Sequence, residues 1–317
     1  QEEQVADEIV HVQGLTKTYR TGFRRRKVRA VRGISFDIRR GEILGIIGHN
    51  GAGKTTTLKV LTGLTRADGG DISIFGLPPD DIRSRERLGY MPENPYFYEH
   101  LTGPELLRFY GRLFGMRGKV LHDRVSLLLE RVGLSHAADR PIKKFSKGMR
   151  QRVGIAQALI NDPDLVILDE PQSGLDPIGR REVRELIVEL RNEGKTILLS
   201  SHILPDVEAV CDRVVVMVEG EVAREGTVNQ LTGDRVEAWE VIVRGSVASL
   251  DPAPPWLTLM EPRGDYTMCL ASGDASPGEI VERLGAEGLE LFSLTPQRVD
   301  LEKVFVQNTE ASREASR

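Results

Sequence analysis

Gly48-His49-Asn50-Gly51-Ala52-Gly53-Lys54-Thr55-Thr56 follows the apolar run Ile43-Leu44-Gly45-Ile46-Ile47 and opens the segment Thr57-Leu58-Lys59-Val60-Leu61. The order reads strand, glycine loop, helix, the context that gives the pattern G-x-x-x-x-G-K-[ST] its meaning. Small residues let the backbone curl so that successive N–H groups point inward, and the new helix adds the positive end of its dipole, which together make a cradle for phosphates. In such a cradle Lys54 reaches the β- and γ-phosphates and the Thr55 hydroxyl holds Mg²⁺. The alternative is a tight strand-to-helix turn that binds nothing.

Downstream, Pro163-Asp164 opens Leu165-Val166-Ile167-Leu168-Asp169-Glu170, an apolar run ending in two carboxylates. A continuous apolar run of this length fits a central parallel strand buried on both faces, and ligands sit at the C-terminal ends of such strands. Asp169 is then placed to orient Mg²⁺, and Glu170, one residue further out, to polarise an attacking water. A second such strand, Thr196 onward to Ser200-Ser201, ends in His202, read here as a contact to the γ-phosphate although a lone strand-end histidine is more often structural. Between these strands Ser173-Gly174-Leu175-Asp176-Pro177 reads as a turn and residues 182–192 as a helix.

Upstream, Ile9, Val10, Val12, Leu15 and Tyr19 form a strand-like start. Tyr19 can stack on a nucleotide base or be an ordinary surface strand tyrosine. The basic run Arg24-Arg25-Arg26-Lys27 separates this piece from a second one, residues 28–38, and reads as a solvated hairpin tip, with anionic headgroups or a partner as the minority alternative. Residues 69–76 read as a turn into a short strand. After Arg87-Leu88-Gly89-Tyr90-Met91-Pro92-Glu93 come seven of the chain's 17 aromatic residues within 25 positions: Tyr90, Tyr96, Phe97, Tyr98, Phe109, Tyr110 and Phe114. Behind the capping box Thr102-x-x-Glu105, Leu106, Tyr110, Leu113 and Phe114 fall at helical spacing and predict core. Tyr96, Phe97 and Tyr98 follow Pro95 in a loop, where aromatics serve contacts more than cores. Val125, Leu128, Leu129 and Val132 predict an amphipathic helix over 120–134. In Phe145-Ser146-Lys147-Gly148-Met149, Ser146 predicts an N-cap, with Met149, Val153, Ala156 and Ile160 at helical spacing behind it.

At 317 residues the chain predicts one large nucleotide-binding unit and a smaller addition. A net charge of −4, from 43 basic and 47 acidic residues, makes no global electrostatic case for nucleic acid. Cys211 and Cys269 fit no metal-ligand spacing and read as buried free thiols suited to a reducing compartment. No apolar run is long enough to span a bilayer and Gln1-Glu2-Glu3-Gln4 is no signal peptide, so service to a membrane would run through a partner.

Taken together, residues 9 to about 230 resemble the ATP-binding cassette (ABC) ATPases. In that resemblance Tyr19 matches the adenine-stacking aromatic, residues 48–56 (Gly48, His49, Asn50, Gly51, Ala52, Gly53, Lys54, Thr55 and Thr56) the ATP-binding P-loop, and Glu93 the position usually held by a metal-directed glutamine. Phe145 to Met149 match the signature L-S-G-G-Q, whose phosphate-touching Ser146 and Gly148 are kept while Lys147 and Met149 depart from it. Asp169 and Glu170 match the Walker B aspartate and catalytic glutamate, residues 173–176 the D-loop, and His202 the switch histidine. At Glu93 a carboxylate oxygen can replace the amide oxygen as ligand. The form S-K-G-M with P-E resembles the ABC-2 type exporter ATPases, whose membrane subunits are separate chains. Gly48-His49-Asn50 is similar to the ATPase of the copper-processing system that serves nitrous oxide reductase, within a branch that also holds lipid, polysaccharide and antibiotic exporters.

The resemblance implies an α/β P-loop NTPase fold: a RecA-like parallel sheet, an antiparallel β subdomain, a helical signature subdomain over about 94–162, and a small C-terminal α+β domain over 235–310 before a disordered tail, 311–317. It implies ATP and Mg²⁺ as cofactors, a homodimer, integral membrane permease subunits as partners with no nucleic acid, and a peripheral place on the cytoplasmic face of the inner membrane. Soluble cassette ATPases of DNA repair insert a long coiled coil between P-loop and signature, whereas 91 residues lie between Lys54 and Ser146. Ribosome-acting relatives carry two cassettes per chain, and this chain has one P-loop and one signature. An importer ATPase is the nearer rival.

Overall fold

Three runs without a single charged residue before their last position, residues 43–47, 165–168 and 196–201, can be satisfied only where both sheet faces are covered. They become neighbouring parallel strands. The computed structural model describes residues 8–21, 26–233, 236–245, 255–298, 301–303 and 305. In chain order it runs β1 (Glu8–Thr21), β2 (Arg26–Arg39), β3 (Ile43–Ile47), α1 (Lys54–Leu61), β4 (Gly69–Ile74), α2 (Ile82–Arg85), β5 (Leu88–Met91), α3 (Gly103–Leu113), α4 (Gly118–Arg131), α5 (Lys147–Ala158) and β6 (Leu165–Asp169). It continues α6 (Pro177–Asn192), β7 (Thr196–Ser201), α7 (Leu204–Val210), β8 (Arg213–Val218), β9 (Glu221–Thr227), α8 (Val228–Thr232), β10 (Val236–Arg244), β11 (Leu257–Arg263), β12 (Tyr266–Ser272), α9 (Pro277–Ala286) and β13 (Glu290–Arg298).

The six-stranded sheet has the order β5-β6-β7-β3-β8-β9. Its pairs are parallel except β8 with β9 at one edge. Every residue of β3, β6 and β7 is buried. A second, antiparallel sheet, β2-β1-β4, shares one core with it. Val10, Leu15, Ile34 and Phe36 from that sheet pack in the same cluster as Leu44, Ile46, Leu58, Ile167 and Leu198. Of the basic run, Arg26 and Lys27 open β2, and Arg24 and Arg25 fall outside the described residues.

The helices between β5 and β6 follow the amphipathic pattern, with one shift. Thr102 caps α3 through a full capping box, and Val125, Leu128, Leu129 and Val132 are buried. On α3, however, Gly103, Leu106, Leu107 and Gly111 face inward, while Leu113 and Phe114 are exposed and Tyr110 is half-buried. Two glycines let the helix approach its neighbours closely, which rotates the buried stripe away from the aromatics. In the preceding loop Phe97 is buried, whereas Tyr96 is 97% and Tyr98 54% exposed. Phe97 packs by Gly154 of α5, where a Cβ would stand 3.5 Å from its ring. Phe97 is therefore core rather than a contact residue. Gly89 in β5 shows how tightly this layer closes. A Cβ there would overlap the Ala158 carbonyl oxygen at the end of α5 and lie 2.9 Å from Pro163 Cγ.

Helix α6 starts at Pro177, five residues before the predicted start, because the Asp176 carboxylate accepts from Gly179 N at 2.8 Å and Pro177 suits the first helical position.

The chain divides into two compact units, residues 1–228 with 308–317, and residues 229–307. The second unit is a four-stranded antiparallel sheet, β11-β12-β10-β13, with α9 against one face. Val241, Val243, Cys269 and Ala271 meet Ile280 and Leu284 in its core, and Trp239 donates its indole N–H to the Ala275 carbonyl at 2.9 Å. Residues 252–254, in the run Pro252-Ala253-Pro254-Pro255 that the sequence marks as a loop, and the tail 311–317 lie outside the described residues.

Candidate functional site: a phosphate loop facing two strand-end carboxylates

The loop from β3 to α1 is one that only glycine allows at three positions. A Cβ on Gly48 would stand 2.6 Å from the Met217 carbonyl oxygen; Gly51 has φ 90° and Gly53 φ 105°, values that L side chains rarely adopt. No side chain caps α1, so its first N–H groups are directed at whatever enters the loop. His49 is half-buried and its Nδ1 lies 2.8 Å from the Asn50 carbonyl; Asn50 and Gly51 are exposed, and Ala52 is buried. Lys54 is 5% exposed, donates to the Gly48 carbonyl at 2.6 Å and sits 3.2 Å from Glu170 Oε1. Thr55 and Thr56 are half-buried at the start of α1.

Beside the loop, parallel pairing of β6 with β7 and β7 with β3 sets the strand ends level. Asp169 is fully buried; its Oδ1 accepts from Ser200 Oγ at 2.5 Å and from Thr55 Oγ1 at 3.2 Å. Its Oδ2 is buried and has no hydrogen-bond partner among the described residues. Burial pushes the Asp169 carboxyl above the usual carboxylate range, against the lowering by the two hydroxyl hydrogen bonds. The buried Tyr90 hydroxyl is likewise unpartnered among the described residues, and burial, then the charge of Asp169, push its phenol up.

Glu170 adopts φ 51°, uncommon for a side chain of this kind. Its N–H donates to Ser200 O at 3.2 Å and Ser200 Oγ at 3.0 Å, and its carbonyl accepts from Gln151 Nε2 at 3.0 Å. These bonds hold the reversal that turns the carboxylate back over the sheet edge. There Oε1 meets Lys54, and Oε2 lies 2.7 Å from His202 Nδ1. The structure thus brings together Lys54, Thr55, Asp169, Glu170 and His202. Ser200 and Gln151 join them, and neither was singled out from the sequence. Ser200 stands two places before His202 on a strand already read as buried, a polar residue inside an apolar run. Gln151 is a buried amide one turn into α5.

Two predicted residues lie apart from this cluster. Glu93 is exposed in the bend after β5. Tyr19 is half-buried in β1, paired with Val28 of β2, with Lys17 Nζ 5.6 Å from its ring centroid. Strand β2 passes the phosphate loop at Ala30, whose carbonyl oxygen would be 2.5 Å from a Cβ on Gly53, so the hairpin that carries Tyr19 borders the loop.

Ser146 and Gly148 line a different cleft, of about 450 Å³, with Lys147, Gly174, Leu175 and Asp176. Ser146 caps α5 by accepting from Met149 N at 3.2 Å. A Cβ on Gly174 would lie 2.7 Å from Lys147 Cε and 2.8 Å from its Cδ. The lysine that departs from the signature pattern therefore lies across a position where the turn has no side chain.

The model for the family described as ABC transporter matches residues 31–173. An ABC transporter ATP-binding protein of Synechocystis sp. is 40% identical over 302 residues, covering 94% of this chain and 84% of the relative. Nod factor export ATP-binding protein I of Ralstonia nicotianae is 37% identical over 256 residues, 80% of this chain and 76% of its own. Among solved structures, a dimeric post-hydrolysis state of an ATP-binding cassette bound to ADP and Pi aligns with a TM-score of 0.64 at 26% identity, covering 69% of this chain and 98% of that one. The buried lysine and strand-end carboxylates thus stand in a chain that belongs to the ABC transporter ATP-binding proteins, and it is an ATPase.

Proposed function

We propose that this chain is the ATPase of an ABC-2 type exporter, peripheral at the cytoplasmic face of the inner membrane, in which two copies close head to tail over two ATP molecules and drive separate permease subunits. One observation carries the dimer. Ser146 and Gly148, the phosphate-directed signature residues, line a cleft with the D-loop rather than with Lys54 of the same chain, so they reach a nucleotide only from a second copy. The Nod factor export relative supports the direction of transport.

In this reading Tyr19 stacks on the base, and Lys54 with the N–H groups of residues 48–56 holds the β- and γ-phosphates. Thr55 and Asp169 fit a divalent cation, since two buried carboxylates face the Lys54 ammonium and Asp169 Oδ2 has no hydrogen-bond partner among the described residues; Glu93 is assigned as the further metal-directed carboxylate. Mg²⁺ there supplies charge neutralisation on the transferred phosphoryl group. Glu170 accepts the proton of the attacking water at Oε2, and His202, hydrogen-bonded to that oxygen, orients it.

The permease contact is assigned to Tyr96 and Tyr98, exposed three and five residues past Glu93, with Tyr98 edge-on to Phe109 at 5.8 Å. Tyr96→Ala with Tyr98→Ala should release the chain from detergent-solubilised permease while basal ATPase stays within about twofold, since exposed substitutions away from a site change little. Undiminished co-purification would remove the assignment.

Residues 235–310 are assigned as an accessory domain dispensable for nucleotide binding, because every residue directed at phosphate or metal precedes it. A chain ending at Asn229 should bind ATP with unchanged affinity by fluorescent-nucleotide titration. A soluble, folded truncation that binds no ATP would show the division to be wrong.

A further inference from the structure

The hairpin of α3 and α4 contributes only Phe109, behind Tyr98, to the roles above, and it carries a basic stretch of its own. From Leu107 to His122 it carries Arg108, Arg112, Arg117 and Lys119 and no carboxylate, in a chain of net charge −4. Arg108, Arg112, Arg117 and His122 line one open cavity of about 500 Å³. Among the described residues none of the four cations has an ion-pair partner, whereas Arg124 and Arg131, further along α4, close on Asp162 and Glu193. Of the flanking acids, Glu105 is held by Thr102, accepting from its N–H at 2.8 Å and its hydroxyl at 2.9 Å, with Arg108 acting on it only through its charge, and Asp123 stands four residues past Lys119.

Apolar side chains stand among these cations. Leu113 is 68%, Val120 70% and Phe114 42% exposed. At 100° per residue Phe109 and Leu113 occupy the row next to Arg108 and Arg112, so guanidinium and hydrocarbon present together on the outer side of α3.

We propose that this hairpin rests on a bilayer surface that contains anionic lipid, with Arg108, Arg112 and Arg117 on headgroup phosphates and Leu113, Phe114 and Val120 at the headgroup boundary. A guanidinium binds phosphate through two parallel N–H bonds, and exposed apolar residues beside basic ones are the composition that partitions into a charged interface. An acidic protein segment would pair the arginines and leave the apolar residues unmatched. Nucleic acid, a polyanion read through its phosphates, would likewise leave the apolar residues unmatched. The proposal rests on the exporter reading only in supposing that a permease brings the chain to a membrane.

The test is flotation of the full chain with vesicles of phosphatidylcholine alone and of phosphatidylcholine mixed with phosphatidylglycerol. Wild type should float with the anionic vesicles only, and less as salt is raised. Arg108→Glu with Arg112→Glu and Arg117→Glu should weaken the partition by on the order of 100-fold or more, with ATPase rate retained. Should that variant not fold, Arg112→Gln with Arg117→Gln, both exposed positions, should weaken it roughly 30-fold. Equal flotation with neutral vesicles, or undiminished flotation of the charge variants, would overturn the proposal. So would variants that float as wild type but lose the permease, which would make the patch a protein contact, and so would comparable binding to a DNA duplex. Anionic flotation of a wild type that captures no permease would instead retain this proposal and count against the exporter reading.

Discussion

Glu170→Gln is expected to lower ATP turnover by on the order of 10²–10⁴-fold, the usual contribution of a positioned general base, and to leave nucleotide binding intact. The glutamine keeps the shape and an oxygen acceptor for the His202 N–H, which lies 3.4 Å from Glu170 Oε2, but it cannot take a proton from water at neutral pH. Phosphate binding survives because it depends on Lys54, the loop N–H groups and Thr55. Two unhydrolysed ATP molecules should then bridge each P-loop to the opposing Ser146 and Gly148, and size-exclusion chromatography with ATP should show a dimer. Ser146→Arg in the same background should abolish that dimer by filling the space of the γ-phosphate. Hydrolysis by Glu170→Gln at the unmodified rate would move the base to Glu93 or His202.

A second large effect is expected far from the nucleotide. Gly89→Ala sets a methyl group against the Ala158 carbonyl oxygen, with Pro163 Cγ 2.9 Å away on another side. Neither neighbour is the free end of a flexible side chain, so β5 or α5 must move. Overpacking of this kind costs about 1–3 kcal/mol and sometimes more. For a unit of this size each kcal/mol lowers the melting temperature by about 2–4 °C, so calorimetry should show a fall of roughly 2–12 °C. Gly285→Ala in α9, where the added Cβ meets nothing within 4 Å, should be neutral or raise stability by up to about 1 kcal/mol. A Gly89→Ala protein as stable as wild type would mean that β5 and α5 are not packed as described.

Elements whose burial is all-or-none were legible in the sequence. The runs at 43–47, 165–168 and 196–201 carry no charge because both faces are covered, and their order with the glycine loop between them dictates which strand ends meet. Half-buried elements were not. On α3 the aromatic stripe suggested the inward side, but Gly103 and Gly111, with nothing to contribute to a hydrophobic count, decide it by permitting close approach. Strands β11 and β12 escaped notice because Pro262, Gly264 and Asp265 interrupt their pattern, although the turn between them is a hairpin. At the site, Lys54, Asp169 and Glu170 were legible because each sits at a fixed offset from a strand end. Ser200 and Gln151 were not, since their role is to hold Asp169 Oδ1 and the Glu170 backbone, and nothing local marks a hydroxyl or an amide as the support of another residue.

The contact of 3.2 Å between Lys54 Nζ and Glu170 Oε1 makes the loop a lock whose bolt is the strand-end carboxylate. Any anion entering between β3 and α1 competes with Glu170 for the Lys54 ammonium. The more negative the entering group, the stronger it competes, as Coulomb's law requires. The same displacement that admits the ligand therefore frees the carboxylate that faces it.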